Sequence, residues 1–196
     1  MGASAATVAK PDGVLELCPV DIGPLLARVS AISERVWRGE DALKENDFAV
    51  FHHTQHIVFR FIEGNRDPET FYSNPAWMAW QSLLLPVMEQ AIAPYGFRAP
   101  QFPKAMLARL AAGQVIDLHR DGAGSNLLTH KIHVPLITNP QAFFVSEQRR
   151  FHLATGHAYE VDNIKPHGGI NRGADDRIHF IFEVYDSAKT AGAPDR

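Results

Sequence analysis

Three residues of this chain have types and spacing suited to binding one metal ion: His119 and Asp121, two positions apart in His119-Arg120-Asp121, and the distant His167. In extended chain, residues i and i+2 point to the same face, so an imidazole nitrogen and a carboxylate oxygen can reach one point. A histidine from a neighbouring strand would complete one face of an octahedron and leave the opposite positions open, the ligand set of non-haem iron(II) oxygen chemistry. Alone, His-x-Asp running into Gly122-Ala123-Gly124 reads as a surface turn, and His167 before Gly168-Gly169 as a loop residue. Both lie at strand ends in a β-rich half, which favours the metal reading. Arg177 stands at the head of the apolar segment Ile178-His179-Phe180-Ile181-Phe182. An arginine entering a buried strand needs an anion, because a lone interior charge is costly to desolvate. A dicarboxylate would supply one through two parallel charge-assisted hydrogen bonds; Asp175, Asp176 and Asp121 are the alternative partners.

The elements that must position these groups are short. Asp21 reads as an N-cap, and Ile22, Leu25, Leu26, Val29, Ile32 and Val36 follow at helical spacing, predicting a helix to about Trp37. Asn74-Pro75 starts a second helix towards Gly96, with Trp77, Trp80, Leu84, Val87 and Met88 on one side; these are core positions rather than a cofactor box. Segments 47–51, 55–62, 105–110, 115–119, 131–136, 142–145, 151–153, 158–161 and 178–185 read as strands between turn signals. Many short strands at this spacing predict a mainly β sandwich, jelly roll or barrel with the helices flanking it outside. The length suits one domain over 1–196, with 13–102 supporting a catalytic core over 103–186, and loose ends at 1–12 and 187–196.

From about residue 103 to 186 the chain resembles the aspartyl/asparaginyl β-hydroxylase family of 2-oxoglutarate-dependent oxygenases. The matching pieces are His119, the stretch Lys131-Ile132-His133-Val134-Pro135-Leu136 followed by Thr138-Asn139-Pro140, the segment Asp162 to Asn171 with His167, and Arg177. The resemblance implies a double-stranded β-helix core, jelly-roll or cupin-like, with iron(II) on His119 and His167. It implies that Arg177 holds the distal carboxylate of 2-oxoglutarate. The family's Arg-x-His pair contacts the carboxylate near the metal; here it reads Lys131-Ile132-His133, and a lysine offers a point charge where an arginine offers a fork. The namesake hydroxylases have glycine where this chain has Asp121, so the chain resembles the branch that keeps a full His-x-Asp…His triad. That branch includes bacterial hydroxylases of free amino acids, and its carboxylate ligand points to hydroxylation rather than halogenation. With dioxygen, such an enzyme converts 2-oxoglutarate to succinate and carbon dioxide while hydroxylating an unactivated C–H bond. Asn171 is expected beside the His167 imidazole.

The remaining signals bound the partners. The net charge of −3 comes without a basic run, which argues against nucleic acid. Cys18, the single cysteine, excludes an internal disulfide and a thiolate-rich metal site. The apolar stretch from Trp77 to Phe97 is broken by Gln81, Glu89, Gln90 and two prolines, so no bilayer span is expected. With no signal-peptide pattern, the expectation is a cytoplasmic enzyme acting on an amino acid, a peptidyl residue or a small metabolite, of open oligomeric state. His52, His53 and His56 could form a substrate-facing wall and Arg60 could bind a substrate carboxylate, against exposed sheet histidines; Arg120, Arg149 and Arg150 read as solvated surface. Two rivals remain: a cupin-like metal-dependent hydrolase or isomerase, which leaves Arg177 no anion, and a non-catalytic β-sandwich binding module.

Overall fold

The computed structural model describes residues 7–44 and 49–190. Among the described residues, eleven strands pair into two antiparallel sheets. In chain order they are β1 (Val14–Pro19), β2 (Thr54–Ile62), β3 (Phe71–Ser73), β4 (Pro100–Leu110), β5 (Val115–His119), β6 (His130–Ile137), β7 (Ala142–Ser146), β8 (Arg149–Phe151), β9 (His157–Val161), β10 (His167–Asn171) and β11 (Arg177–Asp186). The larger sheet has the order β1-β9-β6-β11-β4-β2-β3, and the smaller β5-β10-β7-β8.

Alternation along the central strands of the larger sheet decides which face does what. Leu107, Ile132, Val134, Phe180 and Val184 share one face and pack with Ile57 and Phe59 into the main core. That face is covered by the helices: α1 (Gly23–Ser30) through Leu25 and Val29, α2 (Glu34–Asp41) through Trp37, and α3 (Pro75–Ile92) through Trp77, Trp80, Leu84, Val87 and Met88. The opposite face of the same strands is polar where it should be buried: Lys131 and His133 on β6, Lys104 on β4, and Arg177, His179 and Glu183 on β11. Polar side chains on the inner face of a sheet pair need partners or a ligand, so this parity marks the site before any pocket is sought.

The strands read from the sequence are present, several of them longer, except at two places. Residues 49–51 of the expected strand 47–51 form a single helical turn, and 47 and 48 lie outside the described residues. The expected strand at 151–153 is displaced to Arg149–Phe151. The single helix expected from Asp21 to Trp37 is two: the chain breaks at 31–33, where the Ser33 hydroxyl accepts from the Val36 amide and caps a fresh start. Strands β1, β3 and β10 carry too little alternation to be read from sequence. In β10 the reason is steric. A Cβ on Gly168 would sit 2.5 Å from the Ile116 carbonyl oxygen, so the glycine pair permits a close approach of strands rather than marking a loop. No helix among the described residues is long and apolar enough to cross a membrane.

Candidate active site

His119 ends β5 and His167 begins β10, and the antiparallel register sets them directly opposite each other. Their rings lie 4.4 Å apart between centroids. Each Nδ1–H donates to the carbonyl two residues back, His119 to Asp117 at 2.9 Å and His167 to Lys165 at 3.0 Å. That fixes the tautomer and leaves each Nε2 lone pair free, the orientation a metal-binding imidazole requires. Asp121 follows β5 at once; its amide donates to the Asn163 carbonyl, and its Oδ1 stands 3.8 Å from each Nε2. Among the described residues these three form a cluster whose ligand atoms all lie within 4.8 Å of one another.

The other oxygen of Asp121 is held from behind. Oδ2 accepts from Lys131 Nζ and from Asn163 Nδ2 at 3.0 Å. Burial alone would raise the carboxyl pKa, but the charges of Lys131 and His167 and these hydrogen bonds hold it well below the usual range. Asp121 therefore presents a fixed anionic Oδ1 to the two imidazoles. Lys131, the expected contact for the co-substrate's metal-proximal carboxylate, thus places its ammonium on Asp121.

Arg177 is 4 % exposed, and none of the ion pairs among the described residues includes it. The acids considered as partners are engaged elsewhere or, in the case of Asp175, exposed. Asp176 binds Arg109 and accepts from the Ala112 amide at 2.9 Å, and Asp121 binds Lys131. Among the described residues the Arg177 Nε has no hydrogen-bond partner, and burial brings its pKa down to about 10. Gly169 makes room for it, since a Cβ there would lie 3.1 Å from Nη1. His133, 6 % exposed, has an unpartnered Nε2 as well. Both residues line one cavity of about 450 Å³ with His119, Asp121, Lys131 and His167. An unpartnered guanidinium N–H and an unpartnered imidazole nitrogen in a cavity beside a metal-ligand cluster are what a buried dicarboxylate would engage.

Asn171, expected beside His167, instead donates to the carbonyls of Leu110, Ala111 and Asp175 and fastens the turn before β11. Of the histidine cluster, only His56 lines the cavity; His52 and His53 are exposed, their rings 3.9 Å apart between centroids and tilted by 51°. Arg60 lies over the Trp77 ring at 3.7 Å and donates to the Phe102 carbonyl, a packing role. Arg149 pairs with Asp12, Arg150 is exposed, and Arg120 is exposed at the cavity rim. Sequence reasoning missed Lys104, Asn126, Asn163 and Glu183, all buried and joined in a network around Asp121. The signal for two of them was parity: Lys104 and Glu183 interrupt apolar strands on the side shared with Arg177 and His133.

Burial lowers the pKa of His56, His133, His167 and His179, that of His167 to about 4. Between about pH 4 and 6.5 the unfolded chain binds protons that the folded one refuses, so stability rises with pH there and is lost on acidification. Each such histidine contributes a slope of up to about 1.4 kcal/mol per pH unit. The metal-free protein should therefore melt several degrees lower at pH 5 than at pH 7; a flat or inverted profile would mean the imidazoles are not buried as neutral rings.

Structures of known proteins share this architecture. An oxidoreductase of the 2OG-Fe(II) oxygenase family from Burkholderia pseudomallei aligns with a TM-score of 0.53 at 13% identity, over 94% of this chain and 96% of that one. The viral collagen prolyl hydroxylase of Paramecium Bursaria Chlorella virus-1, solved as a 2OG complex, aligns at 0.54 with 8% identity, over 88% and 96%. HygX from Streptomyces hygroscopicus, with nickel and 2-oxoglutarate bound, aligns at 0.50 with 14% identity, over 93% and 91%. At such identities the likeness establishes the fold, a double-stranded β-helix with helices packed outside it. A comparison with curated protein sequences returns no match. The family model for aspartyl/asparaginyl beta-hydroxylase matches residues 67–187. The chain belongs to that family of hydroxylases, and the match reaches well before the segment whose motifs carried the resemblance.

Proposed function

We propose that the protein is an iron(II)- and 2-oxoglutarate-dependent hydroxylase, with His119, Asp121 and His167 as the metal ligands and Arg177 and His133 as the residues that bind 2-oxoglutarate. The observation that carries this reading is the unpaired Arg177, buried in the cavity that holds the triad. A hydrolase or isomerase using the same three ligands gives that guanidinium nothing to hold, and a passive binding module gives the converging Nε2 and Oδ1 atoms no purpose. Bound in this cluster, iron(II) with 2-oxoglutarate and dioxygen supplies the oxidising power for C–H hydroxylation.

The chain's own contributions are positional. His119 and His167 offer Nε2 because their Nδ1 protons are committed to backbone carbonyls, and Asp121 offers Oδ1 because Lys131 and Asn163 hold Oδ2. Arg177 sets the far end of the co-substrate, while His133, kept neutral by burial, meets the end nearer the metal. The apolar wall of Ile116, Phe144 and Ile181 excludes water from the space between.

The direct test is anaerobic addition of iron(II) and 2-oxoglutarate to the metal-free protein. The visible charge-transfer band of the chelate is expected, and its absence would remove the reading. The support behind Asp121 is tested separately. Asn163→Ala removes a neutral donor and should weaken iron(II) binding by about tenfold or more, with the 2-oxoglutarate requirement little changed. Unchanged metal affinity would mean that Asp121 is held by Lys131 alone.

A further inference from the structure

The strand β11 carries Arg177, His179, Ile181 and Glu183 along one side, spanning about 20 Å at the usual rise per residue. Arg177 lies at one end, and His133 stands opposite Ile181 in the middle. At the other end Glu183 has Lys104 beside it on β4 and Lys131 beside it on β6. A 2-oxoglutarate reaching from Arg177 to the metal leaves this second end of the cavity free.

Lys104 there is only 6 % exposed. Its ammonium donates to Glu183 Oε1 at 3.0 Å and to Asn126 Oδ1 at 3.3 Å, while Glu183 Oε2 accepts from Thr129 at 2.7 Å. An ammonium has three protons, so one remains, on a cation whose position is already fixed. Lys104 and Glu183 both line the cavity, as do Phe61, Met106, Ile181 and Phe182. The cavity's charged lining is four cations, Lys104, Arg120, Lys131 and Arg177, against two carboxylates, Asp121 and Glu183. Iron(II) and doubly ionised 2-oxoglutarate cancel each other, so the loaded site still carries a surplus of positive charge.

Resting on the hydroxylase reading above, we propose that Lys104 anchors the substrate, and that the substrate is an aliphatic carboxylate whose charged end meets the Lys104 ammonium. Its carbon chain lies over Phe61, Met106 and Ile181, which brings a C–H bond towards the metal cluster. Glu183 and Asn126 act as positioning residues that hold Lys104. The cavity, about 450 Å³ before 2-oxoglutarate enters, lies at the small end of ligand pockets and suits a small acid over a long peptide. A cationic substrate is disfavoured by the same charge surplus.

The test is titration calorimetry on the protein loaded with nickel(II) and 2-oxoglutarate, which binds without turning over. The probes are the proteinogenic amino acids, the straight-chain acids from butanoate to octanoate, the primary amide of each, and a short peptide with an internal aspartate. At least one free acid should bind about ten- to a hundredfold more tightly than its amide, the loss expected for one charge-assisted hydrogen bond. Lys104→Met should bring that acid down to the affinity of the amide. Because Lys104→Met strands Glu183 and could impair folding, the comparison of acid with amide is made on the wild-type protein and stands alone. An acid no better than its amide, no binding by any free acid, or binding by the peptide only would overturn the proposal while leaving the oxygenase reading in place, provided the iron(II) chelate band forms. Without that band in the wild-type protein, the oxygenase reading fails first and the anchor with it.

Discussion

Replacing Arg177 with glutamine should raise the 2-oxoglutarate concentration for half-saturation by about a hundredfold or more, while iron(II) affinity changes little. Among the described residues, the guanidinium is the one buried cation of the cavity with no protein anion against it, so the charge it neutralises must arrive with the ligand. Charge-assisted bonds to a buried carboxylate are each worth roughly 1.5–3 kcal/mol, and a bidentate arginine makes two. Glutamine keeps much of the shape and one donor group but removes the charge. The folded protein should not suffer from the change, and could gain, because an unpaired buried cation is a cost in the absence of ligand. Thermal melting of the ligand-free variant at or above the wild-type temperature, together with the raised half-saturation, would separate a ligand-binding role from a structural one. An unchanged 2-oxoglutarate dependence would hand the distal carboxylate to another cation and end the argument from Arg177.

How much of this was legible in the sequence follows from the range of each interaction. His119 and His167 were readable as candidate ligands because their neighbours in sequence carry the pattern, and the strand 115–119 was found at its full extent. The facing strand was not, because Gly168 and Gly169 look like a loop. Their meaning depends on Ile116 and Arg177, which come within reach only in the fold. The same holds for Lys131. Its position in a Lys-x-His pattern pointed to 2-oxoglutarate, and its ion pair with Asp121 was not foreseeable, because β5 and β6, which bring the two together, lie in different sheets. Lys104 and Glu183 were hidden for a related reason. Glu183 sits in a strand apolar enough to read as core, Lys104 lies just before the strand read as 105–110, and pairing β4 with β11 in register sets both on the side of Arg177. In the helical part, periodicity identified the buried side of α3 correctly, since a long amphipathic helix carries its own evidence. It joined α1 to α2 because Ile32 and Val36 keep the spacing across a break that Ser33 imposes.

The pairing of Lys131 with Asp121 makes the largest predicted effect also the one that most needs dissection. Asp121→Ala should weaken iron(II) binding by more than about a hundredfold, beyond what loss of a supporting residue does, and abolish turnover, because two imidazoles remain without an anionic donor. The same change leaves the Lys131 ammonium without its carboxylate in a largely enclosed site, which should cost stability as well, by about 1–3 kcal/mol once partial exposure is allowed for. Lost activity alone would then be ambiguous between a missing ligand and a weakened fold. The double variant Asp121→Ala with Lys131→Met resolves it by removing both charges together. Melting of the metal-free double variant should return close to the wild-type temperature, while its iron(II) affinity stays as weak as that of the single variant. Recovery of metal binding along with stability would show that Asp121 serves the fold and not the metal. The site would then be a two-histidine centre with a carboxylate–lysine pair beside it.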